Sequence, residues 1–137
     1  MALFSPPINR NAVLYVKNSK TGPIPLGRGV ILTGNIDTDG SLFIQAPLGA
    51  DSPIHGVTYE DAPDDSTVGK MLQAGMSNVR LRVGATAVAF GDILHIQDNT
   101  GVWEKAPAAS SNCYYSALQA GAAGSLIWAA PLLSRPL

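Results

Sequence analysis

The chain predicts an all-β fold: a small antiparallel β-barrel or sandwich, with an extended N-terminal arm and little helix. Three observations carry that expectation. Short apolar runs recur between glycine turns along most of the 137 residues, and several short strands at near-even spacing mark a barrel or sandwich. The run Asn78-Val79-Arg80-Leu81-Arg82-Val83 alternates apolar with basic side chains before Gly84, the period of a strand that packs one face and turns Arg80 and Arg82 outward. The alanine-rich windows 106–109 and 117–123 are broken by Pro107, Gly121 and Gly124, which leaves room for at most a single helical turn.

Along the chain, residues 1–25 come first. They hold Pro6, Pro7, Pro23 and Pro25 among Asn9, Asn11, Asn18 and Gly22, a composition that punctuates extended chain and resists helix. This segment is read as an arm, and residues 26–137 as the barrel domain. Inside the arm, Ala12-Val13-Leu14-Tyr15-Val16 is β-branched and aromatic. Two readings of it stand open: it pairs with a sheet edge of a neighbouring subunit, or it is the first strand of this chain's own barrel. From Gly27 the punctuation becomes regular. Gly29-Val30-Ile31-Leu32 ends at Thr33-Gly34, and Asp39-Gly40 precedes Ser41-Leu42-Phe43-Ile44-Gln45-Ala46, which predicts a hairpin. Further strands are predicted over 53–58, 68–73, 78–83, 93–97, 102–105, 114–118 and 126–130, with 120–124 as a tight loop between the last two. Glycine spacing constrains the number of strands and leaves their order open.

Composition narrows the class of function. Hydrophobic residues, at 46%, are enough for a core. Charged residues make up only 14%, against roughly 25% in an ordinary soluble domain. A surface so poor in charge carries broad neutral patches, which commonly become subunit contacts. The expected product of the chain is therefore an interface, and self-association is the simplest form of it. A formal net charge of -1 supplies no basic field for nucleic acid. The lone Cys113 excludes an intramolecular disulfide framework and a thiolate metal site. Met1-Ala2-Leu3-Phe4-Ser5 runs into Pro6-Pro7 without the cationic and apolar regions of a secretory signal. The longest apolar runs, 85–90 and 126–133, fall short of the roughly 20 residues of a membrane helix. The expectation is a soluble protein made in a cytoplasm, with no membrane partner.

Candidate chemistry is sparse. Glu60, Asp61, Asp64 and Asp65 surround Pro63 and have the oxygen donors of a calcium site, but they lack the order of an EF-hand loop, and a solvated acidic loop is the simpler reading. His55 and His95 lie on separate predicted strands with no second ligand at short spacing. Ser116, His95 and Asp92 supply the residue types of a hydrolase triad, without a nucleophile elbow or an oxyanion loop. Gly27-Arg28-Gly29 is not followed by the Lys and Ser/Thr of a phosphate loop. No catalytic, cofactor-binding or metal residue is assigned, and the chain is expected not to be an enzyme. Trp103, Trp128, Tyr114 and Tyr115 are read as core or subunit-interface residues ahead of a sugar-stacking platform. Trp103 flanks a hairpin turn and is expected partly exposed; Trp128 lies in the apolar last strand and is expected to pack.

Residues 54–130 resemble the decoration, or cement, proteins of tailed-bacteriophage capsids with a small glycine-punctuated β-barrel. The resemblance is carried by Ile54-His55-Gly56-Val57-Thr58, by Val68-Gly69-Lys70-Met71-Leu72-Gln73-Ala74-Gly75, by the Gly-Asp-apolar step Phe90-Gly91-Asp92-Ile93-Leu94, by Asn99-Thr100-Gly101-Val102-Trp103, and by Tyr115-Ser116-Ala117-Leu118-Gln119-Ala120 with Gly121, Gly124 and Leu126-Ile127-Trp128. Where many such proteins have Gly-Asp or Gly-Glu before the last strand, this chain has Gly124-Ser125. The resemblance implies a homotrimer on the outer surface of the expanded phage head, made in the host bacterial cytoplasm, that bridges major capsid protein subunits against internal DNA pressure. On that reading Phe4, Pro6, Pro7, Ile8 and Arg10 of the arm are capsid-contact candidates, with a swap of the arm between protomers as the competing role. Trp103, Tyr114, Tyr115 and Trp128 are trimer-interface candidates. A phage tail or baseplate component, or a carbohydrate-binding module, shares the same expected architecture.

Overall fold

The computed structural model describes residues 8–19, 22–61, 68–108, 110 and 112–132. It is all-β, as the glycine cadence predicts. Val13–Asn18 (β1), Gly29–Ile36 (β2), Leu42–Gln45 (β3), Gly56–Thr58 (β4) and Val68–Gln73 (β5) close into a barrel in the order β1-β3-β2-β4-β5. Val79–Arg82 (β6), Ile93–Ile96 (β7), Trp103–Lys105 (β8), Tyr115–Ala117 (β9) and Leu126–Pro131 (β10) form a second sheet in the order β6-β10-β9-β7-β8. That sheet curls until a single parallel bridge, Val83 to Trp103, joins its two ends. Among the described residues the one helical segment is a 3-10 turn, Arg10–Ala12, capped by the Asn9 side chain.

The first barrel settles the two readings of the Ala12–Val16 run. β1 lies between β5, which it meets antiparallel with Val13 opposite Leu72, and β3, which it meets parallel with Val16 opposite Leu42. The strand belongs to this chain's own barrel, so residues 13–18 of the expected arm are sheet. Phe4, Pro6 and Pro7 lie outside the described residues. The β2–β3 hairpin turns at Asp39-Gly40 as expected, with Gly40 at φ +88°. Asp39 Oδ1 accepts from the Ser41 N–H at 2.9 Å, and Lys17 on β1 reaches Asp37 at 2.7 Å and Asp39 at 3.0 Å.

The two sheets share one core. Ala12, Ile54, Val57 and Leu72 from the barrel side pack with Val79, Leu81, Leu94, Ile96, Trp103, Tyr115, Ile127 and Ala129 from the second sheet. A smaller cluster of Val16, Ile24, Val30, Ile44 and Met71 fills the barrel. Trp103 and Tyr115 meet edge to face, centroids 5.5 Å apart at 81°, the geometry aromatic quadrupoles favour. The Tyr115 hydroxyl accepts from the Gly75 N–H at 2.9 Å, and burial raises its pKa well above the ordinary phenol value.

Backbone contact locks the sheets together where residues 25–29 run between them. The Thr58 hydroxyl donates to Pro25 O and accepts from the Arg28 N–H, at 2.8 and 2.9 Å. The Arg82 N–H donates to Gly27 O at 3.0 Å, and the Gly29 N–H to Gly101 O at 2.9 Å. Arg28 Nη1 donates to Thr100 O at 2.9 Å; its burial lowers the guanidinium's proton affinity from the ordinary value, with Arg82 adding repulsion and Asp98 opposing both. Gly101 sits at φ +82°, and a Cβ there would stand 2.5 Å from the Gly29 carbonyl oxygen.

Gly101→Ala is therefore expected to lower unfolding free energy by about 2–4 kcal/mol, from left-handed strain plus a backbone clash. Gly124→Ala, also at positive φ but with nothing within 4 Å, should cost only about 1 kcal/mol; denaturant titration of the two variants measures the difference. The Ser41 hydrogen bond, then Lys17, holds the Asp39 carboxyl at about 2 against an ordinary 3.8. A depressed carboxyl contributes fully above its unfolded value and loses that contribution as pH falls through its folded one. Between pH 3.8 and about 2 the Ser41 amide resonance should shift, and Asp39→Asn should abolish the step.

Candidate interface surface

The outward face of the second sheet is apolar. On β9 and β10 the side chains of Tyr115, Ala117, Ile127 and Ala129 are buried, so the alternating positions Ser116, Leu118, Trp128 and Ala130 face away from the core. The pairing of Ala129 with Ala117 sets Leu118 beside Trp128, and the Leu118 N–H donates to Trp128 O at 2.9 Å. Ile93 on β7 pairs with Ser116 and extends the same face. Phe90 stands on a turn made by Gly91 at φ +86°, whose N–H donates to Ala117 O at 2.8 Å. Phe90 is 74% exposed, and Ile93 and Leu118 are each 37% exposed.

Trp128 also walls a groove that runs between the two sheets. Ile8, Leu26, Leu72 and Val79 form its apolar floor, Thr58, Tyr59 and Arg80 its sides, and its volume is about 350 Å³. Past Ile8, Tyr59 and Trp128 it opens into a depression of about 570 Å³ bounded by Arg10, Tyr15 and Lys70. Register explains the grouping: Tyr15 on β1 is directly opposite Lys70 on β5, and Trp128 on β10 is opposite Arg80 on β6. The Arg80 guanidinium lies 5.9 Å from the Trp128 ring centroid, a cation–π distance.

The structure redistributes the expected contact residues. Ile8 and Arg10, read from the sequence as arm residues, line the groove beside Trp128. Tyr114 is half-buried, and its hydroxyl accepts from the Ile54 N–H at 3.4 Å. Trp103 and Tyr115 have no accessible surface, so they pack this chain's own core and offer nothing to a partner. The expected exposures of the two tryptophans are thus reversed. Trp103 points inward because the curl of the second sheet folds the β7–β8 hairpin back onto Val83 and Gly29. Trp128 is half-buried because β10 packs one face, and Ile127 and Ala129 hold the inward positions. Nothing in the sequence marks Tyr15, Tyr59, Lys70 and Arg80 as one group. The alternation of Arg80 between Val79 and Leu81 signalled its exposure, but nothing in the sequence places β6 beside β10.

The remaining candidate chemistry does not converge. His55 Nδ1 accepts from the Leu32 N–H at 2.9 Å. His95 is buried, with Asp51 Oδ1 3.1 Å from Nδ1 and Glu104 Oε2 2.7 Å from Nε2. Ser110 Oγ lies 2.9 Å from Nδ1 and donates to Asp51. The two carboxylates face opposite edges of the ring, so these groups share no point at which a cation would sit. Neither Ser116 nor Asp92 is a partner of His95; Asp92 accepts from the Ala89 N–H and stands 3.9 Å from Lys105. Asp61 accepts from the Leu26 N–H at 2.8 Å, while Asp64 and Asp65 lie outside the described residues.

No family model and no curated protein matches the sequence. Among solved structures, the fold is similar to that of the head fiber gp8.5 N base in bacteriophage phi29, with a TM-score of 0.67 over 91% of this chain and 97% of that chain at 12% identity.

The reversed tryptophans have a direct optical test. In Trp128→Phe the remaining Trp103 should emit at short wavelength and resist acrylamide, whereas in Trp103→Phe the remaining Trp128 should be readily quenched. Equal quenching of the two variants, both folded by circular dichroism, would contradict the placement.

Proposed function

We propose that this chain is a structural protein of a phage virion: a capsid decoration protein that binds the outside of the expanded head as a homotrimer and bridges major capsid subunits. It works by binding and not by catalysis. The observation that carries the reading is the outward face of Phe90, Ile93, Leu118 and Trp128 on a subunit whose fold, nearly end to end, is similar to a phage head fiber base. A charge-poor subunit with an exposed apolar face gains by covering it, and closed rotational symmetry is the usual way for identical subunits to do so without forming filaments. A trimer seated across capsid subunit boundaries stabilises whichever lattice presents its sites at the right spacing, by linked binding free energy. Its attachments can be individually weak, because rebinding of one arm is intramolecular while the others hold. Ile8 and Arg10, at the groove, belong to the capsid-facing side on this reading.

Purified protein mixed with expanded, decoration-free shells should sediment with them saturably, in preference to unexpanded procapsids, and should raise the temperature at which the shells rupture. Phe90→Glu should leave the subunit's own stability within about 0.5 kcal/mol yet reduce the trimer to monomer by light scattering. Folded wild-type protein that binds neither shell would overturn the capsid role.

A further inference from the structure

The groove beside Trp128 differs in chemistry from the apolar sheet face next to it. Most described cations are engaged within the chain: Lys17 by Asp37 and Asp39, Lys105 near Asp92, and Arg28 and Arg82 by the carbonyl oxygens of Thr100 and Gly124. Arg10, Lys70 and Arg80 have no carboxylate partner among the described residues, and all three border the groove. Among the described residues no carboxylate lines it. Glu60 and Asp61 follow Tyr59 at its rim, and Asp61 is held by the Leu26 N–H. In a chain of net charge -1, three cations that have no carboxylate partner among the described residues form, at one apolar cleft, a local field of the opposite sign.

We propose that this groove is a docking site for an acidic peptide segment of a partner protein, anchored by one large apolar side chain. The inference rests on the virion reading and names what the subunit recognises on its capsid partner. The floor of Ile8, Leu26, Leu72 and Val79 against Trp128, at about 350 Å³, admits one leucine or aromatic anchor, the kind of buried contact that dominates binding energy. The cations then meet carboxylates on either side of the anchor. Arg80, stacked on Trp128, is held in place before binding, so less freedom is lost on association. A neutral sugar fits less well: its hydroxyls need acceptors as well as donors, no carboxylate or amide side chain among the described residues lines the groove, and the Thr58 hydroxyl is already engaged by Pro25 and Arg28. Nucleic acid would satisfy the cations and leave the apolar floor empty.

A random-peptide display selection against the full-length protein tests this. Sequences with Asp or Glu flanking a Leu, Phe or Trp should be enriched. For a fluorescein-labelled enriched peptide, Lys70→Glu and Arg80→Glu should each weaken binding about tenfold, the scale of a partly desolvated charge pair. Trp128→Ala should weaken it comparably, and Lys105→Glu, away from the groove, should leave it unchanged. Enrichment of peptides without acidic residues, or affinities indifferent to Lys70→Glu and Arg80→Glu in folded protein, would overturn the proposal. So would tighter binding of an anionic glycan or an oligonucleotide than of any peptide. Dissociation of the oligomer by Arg80→Glu with no peptide present would make a second copy the occupant, and would overturn it equally. Shell sedimentation separates the two ideas. If wild type and Arg80→Glu bind expanded shells equally, the groove proposal falls and the virion reading stands. If wild type ignores shells but takes acidic peptides through Lys70 and Arg80, the virion reading falls and the groove stands.

Discussion

The close backbone approach of Gly29 to Gly101 is the constraint on which the rest of the arrangement depends. Two small sheets of short strands bury little area separately, and a small domain gains stability only by pooling what it can bury. The segment 25–29 makes that pooling possible by donating to and accepting from both sheets: Thr58 on the barrel side, and Arg82 and Gly101 on the other. A side chain on Gly101 would hold the β7–β8 hairpin away from the barrel. Trp103, two residues on, would then lose its seat against Tyr115. The aromatic centre of the shared core is thus a consequence of a contact at which the chain has no side chain at all.

Much of this fold is legible in the sequence. Every predicted strand is present, and the Asp39-Gly40 turn and the alternation of Val79 and Leu81 with Arg80 and Arg82 fall where the residues place them. These features are local: a turn needing positive φ wants glycine, and a half-packed strand shows a period of two. What stayed open is non-local. Nothing within Val13–Asn18 says that it will sit between β5 and β3, with one neighbour parallel. That order depends on closing a barrel from strands up to about fifty residues apart, and such pairing leaves no mark on the strand's own pattern.

The surface was harder to read for the same reason. Trp103 beside a hairpin turn looks exposed until the hairpin folds back over the core. Trp128 in an apolar run looks buried until the run proves to lie in a sheet with one covered face. The groove is wholly a product of topology, since Ile8, Tyr59, Arg80 and Trp128 come from four separate parts of the chain. Composition, by contrast, bears on surface without needing connectivity: a charge-poor chain has few charged groups with which to cover itself, and Phe90, Ile93 and Leu118 are exposed.

The buried polar cluster at His95 belongs with the scaffold. A histidine ring removed from water costs free energy unless its nitrogens are hydrogen-bonded, and here Asp51 and Glu104 meet opposite edges of the ring while Ser110 bridges to Asp51. Asp51 lies on the β3–β4 connection and is, among the described residues, the one non-glycine at positive φ, +53°; its N–H donates to Ile96 O at 3.0 Å. The cluster therefore pins a barrel loop onto β7 of the second sheet, on the side away from the 25–29 seam in sequence but acting toward the same end. With both connections fixed, β6 and β10 keep their position relative to β1 and β5. Arg80 and Trp128 on one sheet can then face Tyr15 and Lys70 on the other at a constant separation. A groove assembled from two sheets can be selective only if the sheets do not slide, and the seam and the His95 cluster both help to prevent it, together with the Tyr115 hydroxyl bond to Gly75.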